Sequence, residues 1–316
     1  MADDLLKSVR KVLTFRRRAL SPAGHEARSA YLFLLPNLFF FIVFQAIPIA
    51  ATIGLTFTKY NLFSPPTFNG ITNYRKLISD PRFLLTMTNT VIISLMYVGL
   101  ITIAGLLVAV GVNALVSKMA KSIFRTVYFV PMMASFASVA IVWWFLLNPD
   151  FGIVNYYLSQ VGLQPVPWTS SSRYAVLSVV FVGVWKNLGF DFVILLVALQ
   201  QVPKVFIEAA MIDGANAWVR FTRITLPMIS SSLLFCITIN LIDGLQYFDV
   251  PQIMTHGGPG DATRTVVMYL YESGFRFFDM GYASTMAIVL LLLIMLLTLF
   301  QFAVARYWVF YEFDNE

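Results

Sequence analysis

Six long apolar runs dominate the sequence, at roughly residues 31–57, 85–115, 123–147, 174–199, 224–247 and 282–304. Each is long enough to cross about 30 Å of hydrocarbon, which takes about 20 residues of helix. Lipid offers no hydrogen-bond partner to an open backbone, so runs of this length fold as helices. Composition agrees: 59% of residues are hydrophobic and 12% charged, against about 45–50% and about 25% in a soluble domain. Charge this sparse cannot solvate a globule, which argues against a soluble enzyme and a disordered chain. The expected fold is an all-α polytopic membrane protein with six transmembrane helices.

Residues 1–29 read as a basic tail carrying Lys7, Arg10, Lys11, Arg16, Arg17, Arg18 and Arg28. The early Asp3 and Asp4, and a first apolar run that starts near residue 30, do not fit a secretory signal. Residues 30–308 form the transmembrane domain and 309–316 a short tail. Six spans place both ends on one face. That face collects fourteen Lys/Arg and the other seven, so the positive-inside rule puts both termini in the cytoplasm, although the first outer loop holds four of those seven. The basic tail suits anionic lipid headgroups rather than nucleic acid. The lone Cys236 forms no internal disulfide, and neither His25 nor His256 has metal-ligand spacing. The outer loops carry structure of their own. Ser64-Pro65-Pro66 precedes a short amphipathic helix at 71–78, Asn148-Pro149-Asp150 and Gln164-Pro165-Val166-Pro167 bound another element, and His256-Gly257-Gly258-Pro259-Gly260 is a turn. No duplicated block signals an inverted repeat.

Lys186, Asp191 and Asp243 fall inside spans, where a central charge costs about 2.5–3.5 kcal/mol. Asn187 and Asp191 share a helix face with Gly183; Asn240, Asp243 and Tyr247 share another, with Gln246 nearby. These six polar residues are candidates for a substrate path. A structural ion pair of Lys186 with Asp191 or Asp243 is the competing reading.

The loop at 203–222 is the most informative stretch. Pro203 suits a helix start, Lys204 to Ile212 are mostly helix formers, Asp213-Gly214 breaks the pattern with a residue free to turn left-handed, and a second short helix follows before Leu226-Pro227. The apolar residues of the elbow include Phe206, Ala209, Ala210, Ile212, Trp218 and Phe221. From the residues alone it either rests on lipid headgroups or docks in a groove of a soluble protein.

Glu208-Ala209-Ala210, then Gly214, Ile224 and Leu226-Pro227, reproduce the spacing of the EAA signature, and on these residues the chain resembles the permeases of binding-protein-dependent ABC importers. Glu208 through Phe221 to Ile224-Thr225-Leu226-Pro227 is similar to the carbohydrate-uptake branch, whose cargo includes maltose, lactose, other oligosaccharides and glycerol-3-phosphate. Ala198-Leu199-Gln200, Val202-Pro203, Phe248-Asp249, Thr255 to Pro259, Met280 to Ser284, and Phe68 to Tyr74 with Leu77 add to the likeness. The resemblance implies a cytoplasmic coupling elbow that seats in an ATPase cleft. In it Glu208 contacts the ATPase, Ala209 and Ala210 allow close approach, and Asp213-Gly214 makes the turn. It implies two separate cytoplasmic ATPase subunits that bind the ATP and Mg, with no cofactor on this chain, which lacks a phosphate-cradling Gly-rich loop. It further implies a second six-helix permease subunit forming a heterodimer, an extracytoplasmic solute-binding protein docking on 64–80 and 255–261, a sugar or polyol-phosphate cargo, and residence in a bacterial or archaeal inner membrane. Hydroxyl-rich cargo would meet the polar path residues, with Trp143, Trp144, Trp185, Phe190 and Tyr247 supplying rings; interfacial anchoring is the competing role for Trp143 and Trp144. The short tail and the lack of a large inserted outer domain lead us to expect the six-span form of the subunit.

Two other function classes compete. A proton-coupled secondary transporter would use Lys186, Asp191 and Asp243 as a relay, but has no need of an ATPase-docking elbow. A membrane enzyme would need a nucleophile–base pair or metal cluster, and none is evident.

Overall fold

The computed structural model describes residues 22–310, with side chains from residue 30. The tails expected at 1–29 and 309–316 therefore lie largely outside the described residues, except that 22–29 are already helical.

Residues 22–54 belong to one compact unit. Helix α1 (Pro22–Phe41) passes through a π-helical turn (Ile42–Ala46) into α2 (Ile47–Leu55). Together they give a span at Ala30–Leu55.

The second unit begins with a two-residue antiparallel pair, β1 (Thr58–Lys59) and β2 (Thr67–Phe68). It is the one departure from the all-helical expectation among the described residues. Asn73, on α3 (Thr72–Ser79), donates to the carbonyls of Thr56 and Thr58 at 2.9 Å each, fixing this small helix to the pair. Helix α4 (Pro81–Asn113) starts sharply because Asp80 caps it, its carboxylate accepting from the Arg82 amide at 2.9 Å, with Pro81 in the first turn.

The run at 123–147 is not one straight span. It divides into α5 (Lys118–Met133) and α6 (Phe136–Leu146), which meet at 99°. Pro131 lacks an amide to continue the ladder, and Ala134 and Ser135 are extended. The Ser135 hydroxyl then caps the new helix by accepting from the Ser138 amide at 3.1 Å. Short α7 (Ile153–Gln160) follows, tied by Asn155 to Pro149, Val166 and Trp168. Helix α8 (Ser172–Gln201) is next; its 30 residues span about 45 Å.

After the elbow helices α9 (Lys204–Ile212) and α10 (Ala217–Arg220), a π-helical turn (Phe221–Thr225) and the single turn α11 (Leu226–Met228) bend at Ile229. The fifth span thus starts at Ser230, six residues later than the apolar pattern suggests. It runs as α12 (Ser230–Leu245), breaks at 246–248 and resumes as α13 (Asp249–Met254). Helix α14 (Val266–Tyr271) leads into α15 (Met280–Ala305), capped by Asp279. Among the described residues five helices can cross a membrane, or six if the bent α5–α6 pair is one span.

Helices α4, α8 and α12 form the packed centre. Ile93, Tyr97 and Ile101 of α4 meet Val179, Val180 and Val182 of α8, while lower on the same pair Ala109 and Val112 meet Phe192, Leu195 and Leu196. Gly105 lets the two helices pack tightly: a Cβ there would lie 2.7 Å from the Asp191 Cβ. Small residues at such crossings are the rule in membranes, where packing rather than water expulsion joins helices. Leu95, Leu107, Leu296 and Phe300 remain exposed, as a lipid-facing surface requires.

Candidate functional site

The elbow is built by local backbone chemistry. Pro203 stands at the cap position of α9, one residue before the first turn. At the other end Gly214 takes φ +78°. The Ala215 amide then reaches back to the Ala210 carbonyl at 2.9 Å and the Gly214 amide to Met211 at 3.1 Å. This is the Schellman pattern, which satisfies carbonyls that would otherwise end a helix unpaired. The Asn216 carboxamide restarts the chain by accepting from the Val219 amide at 2.9 Å. The elbow projects apolar side chains outward, Ile212 at 87% exposure and Trp218 at 71%. Glu208, Ala209, Asp213 and Gly214 are exposed and Ala210 is half-buried. Ala209, Ala210 and Asp213 line a groove of about 850 Å³ completed by Phe206, Arg223, Ile224, Pro227, Met228 and Phe310. The Glu208 carboxylate makes no ion pair or hydrogen bond among the described residues.

Between α8, α12 and the start of α6 lies a cleft in two adjoining compartments of about 510 and 600 Å³. Phe136, Asn187 and Asp243 belong to both. Gln246, Tyr247, Tyr97, Phe248 and Asp249 complete one compartment; Met132, Lys186, Phe190, Ile239 and Asn240 complete the other. The Asn187 amide donates to the Tyr97 hydroxyl at 2.8 Å. The Tyr97 and Tyr247 rings stack at 5.8 Å, and the Tyr247 hydroxyl donates to the Val179 carbonyl at 3.0 Å. Asp243, Gln246 and Asp249 are exposed to the cleft.

Asp191 is the exception among the six path candidates. It is fully buried behind the cleft wall, where its carboxylate accepts from the Asn240 amide at 2.8 Å. It orients Asn240 instead of facing the opening. Neither ion pair considered for Lys186 forms: the ammonium donates to the Met132 carbonyl at 3.3 Å and rests 3.9 Å over the Phe136 ring, with no carboxylate within 4.0 Å among the described residues. Of the aromatic candidates, Phe190 and Tyr247 line the cleft. Trp143 packs edge-on against Phe181 and Trp185, and Trp144 against Phe151. Tyr97 and Phe136 were not legible as site residues, because an aromatic in an apolar run carries no mark of what it faces. Phe248 and Asp249 drew notice only as matches to a family.

At the end of the bundle remote from the elbow, charged side chains tie the loops together. Asp261 accepts from Arg82 at 2.9 Å and from Arg264 at 2.5 Å; Arg264 also pairs with Glu272. Asp80 accepts from the hydroxyls of Tyr269 at 2.7 Å and Tyr282 at 2.5 Å. Burial works to raise the Asp261 carboxyl, but the hydrogen bonds and charges of Arg82 and Arg264 outweigh it and hold the group below the usual carboxylate range. Asp80 is lowered too: burial opposes, and the hydroxyls of Tyr282 and Tyr269 with the amides of Arg82 and Phe83 prevail. Burial and the Asp80 carboxylate push the Tyr269 phenol up to about 12. Lys76 joins Asp279 at 2.7 Å. The turn at 255–261 has left-handed His256, Gly257, Gly260 and Asp261 and a cis Gly258–Pro259 bond. Among the described residues no group of His, Cys, Asp or Glu could hold a metal ion.

Comparison with known proteins supplies the identity. Residues 101–308 match the family described as binding-protein-dependent transport system inner membrane component. The probable ABC transporter permease protein YurN of Bacillus subtilis is 34% identical over 274 residues, covering 86% of this chain and 94% of that protein. The trehalose/maltose transport system permease protein MalF of Thermococcus litoralis is 31% identical over 283 residues, covering 89% and 95%. In fold, a chain of a bacterial alginate ABC transporter, crystallised with an alginate pentasaccharide-bound periplasmic protein, superposes with a TM-score of 0.79 at 23% identity, over 90% of this chain and 96% of that one. With family, full-length relatives and fold in agreement, a proton-coupled carrier and a membrane enzyme both fall away: the chain belongs to the inner membrane components of binding-protein-dependent transport systems, a multi-pass ABC permease whose work is translocation and not catalysis.

Proposed function

We propose that this subunit carries a sugar or a related polyol across a bacterial or archaeal inner membrane. On this reading the elbow at 203–222 is driven by a cytoplasmic ATPase, and both tails lie on the ATPase side. The observation that carries the reading is the elbow: a rigid Schellman turn presenting bare Ile212 and Trp218 and an unpaired Glu208 beside an open groove. Apolar side chains held this far from the helix bundle need a partner surface. Two ATPase subunits would bind ATP and Mg, a second permease would complete a heterodimeric pore, and a solute-binding protein would deliver cargo on 64–80 and 255–261. The printed names support the saccharide class but leave its charge open: one relative serves trehalose and maltose, which are neutral, and the structural neighbour alginate, which is acidic.

The translocation path would run along the cleft of Asn187, Asn240, Asp243, Gln246 and Tyr247, where amides, carboxylates and ring faces match a polyol. Asp191 would act at one remove, through Asn240. The test is copurification and uptake in cells expressing the whole transporter. Gly214→Val forces a β-branched residue into a left-handed backbone. ATPase copurification and transport should fall at least about tenfold, which corresponds to 1.4 kcal/mol of lost docking, at unchanged membrane abundance. Full ATPase retention and full transport in that variant would remove the coupling role.

A further inference from the structure

The charges of the cleft say which saccharides it admits. Two carboxylates open into it, Asp243 from α12 and Asp249 from the first turn of α13, and both are exposed. Among the described residues its wall holds one cation, Lys186, which is 4% exposed, with its ammonium turned to the Met132 carbonyl and the Phe136 ring. The remaining polar atoms are uncharged: Asn187, Asn240, Gln246 and the tyrosine hydroxyls. An anionic cargo would meet two exposed carboxylates, while the single ammonium among the described lining residues is buried and offsets only one of them, so the opening keeps a net negative charge. Neutral hydroxyls would find acceptors in the carboxylates, donors in the amides and apolar ring faces in Phe136 and Phe190. We propose that this permease's half of the pathway selects uncharged saccharides and rejects phosphate-, sulfonate- or carboxylate-bearing ones. The proposal rests on reading the cleft as the translocation path.

The electrostatic half is measurable without knowing the cargo. Cys236 is buried, so this chain adds no accessible thiol of its own, and the unaltered transporter gives the background of the other subunits. The probes are two methanethiosulfonate reagents of similar size, one carrying a trimethylammonium and one a sulfonate. They are applied to the whole transporter in nanodiscs bearing Gln246→Cys, with Phe248→Cys as a second position and the unaltered protein as background. A net excess of one sign of charge in a cleft raises counter-ion encounter by about tenfold or more. The cationic reagent should therefore react at least about tenfold faster, after correction for the rates on a free thiol. Adding Asp243→Asn and Asp249→Asn should collapse the ratio. Equal or faster reaction of the sulfonate reagent, or a ratio indifferent to the two Asn changes, overturns the proposal. Protection of the same thiol by maltotriose but not by trigalacturonate supports it, and the reverse overturns it. If neither sugar protects while the charge ratio holds, the saccharide reading of the path fails, and with it the proposal; a failed ratio with maltotriose protection condemns the charge argument alone.

Discussion

Gly105 and Asp191 show how one atom can set a helix crossing. With a Cβ at position 105 lying 2.7 Å from the Asp191 Cβ, Gly105→Ala must push α4 and α8 apart, and overpacking of this kind costs about 1–3 kcal/mol. A lowered melting temperature of the purified transporter in detergent is the expected reading. Asp191 and Asn240 form a second such unit. Removing Asp191 leaves the buried Asn240 amide without its acceptor, and removing Asn240 leaves the buried carboxylate with only the weak Cys236 donor, at about 1–3 kcal/mol. Asp191→Leu and Asn240→Leu should therefore each destabilise, while the double variant loses clearly less than their sum, a coupling that a double-mutant cycle on thermal stability reads directly. The helical spacing in the sequence puts Asp191 on the face of Asn187, yet Asn187 lines the cleft and Asp191 is buried behind it. It could not show that this face turns from cleft to core within one turn, because the α12 amide that receives Asp191 lies 49 positions away.

At the scale of the element, the elbow and the α5–α6 break make a contrasting pair. The elbow follows from local signals: Pro203, a helix-forming run, Asp213-Gly214 and an Asn216 cap. Its left-handed turn makes a graded prediction. Asn tolerates that backbone region far better than a β-branched residue, so Gly214→Asn should keep substantially more transport than Gly214→Val at equal abundance. Among the described residues nothing lies within 4 Å of a Cβ at 214, so a loss with Asn would implicate a surface beyond them, such as a partner's. The break at 134–135 was hidden because average hydropathy stays high across it, although Pro131 and Ser135 were both visible. Ser135→Ala removes the cap of α6 and should cost about 1 kcal/mol, with the increase in hydrogen exchange confined to the amides of Ala137 and Ser138.

Across the whole molecule, contacts between distant segments fix the end of the bundle remote from the elbow. Arg82 and Asp261 are separated by 179 positions, Lys76 and Asp279 by 203. Since the Asp261 and Asp80 carboxyls are lowered in the folded protein, their contribution is complete above the unfolded carboxylate value of about 4 and is lost as pH falls through the lower folded values. Proteolysis of the 255–265 loop should therefore be flat from neutrality to about pH 4 and rise below it. Asp261→Asn should show the raised rate already at pH 7, by an amount near 1–2 kcal/mol because Arg82 is partly solvent-screened.

Residence in the membrane, helical class, the six apolar runs and the elbow were determined by the sequence itself, since hydrocarbon thickness, backbone satisfaction and turn chemistry act on neighbouring residues. The tertiary structure alone decided that Lys186 is spent on a carbonyl and a ring, that Asp191 supports Asn240, that Asp249 joins Asp243 in one cleft, and that Arg82 meets Asp261. Each depends on how one helix is rotated against another far along the chain, and apolar packing sets that rotation through shape, which hydropathy does not encode.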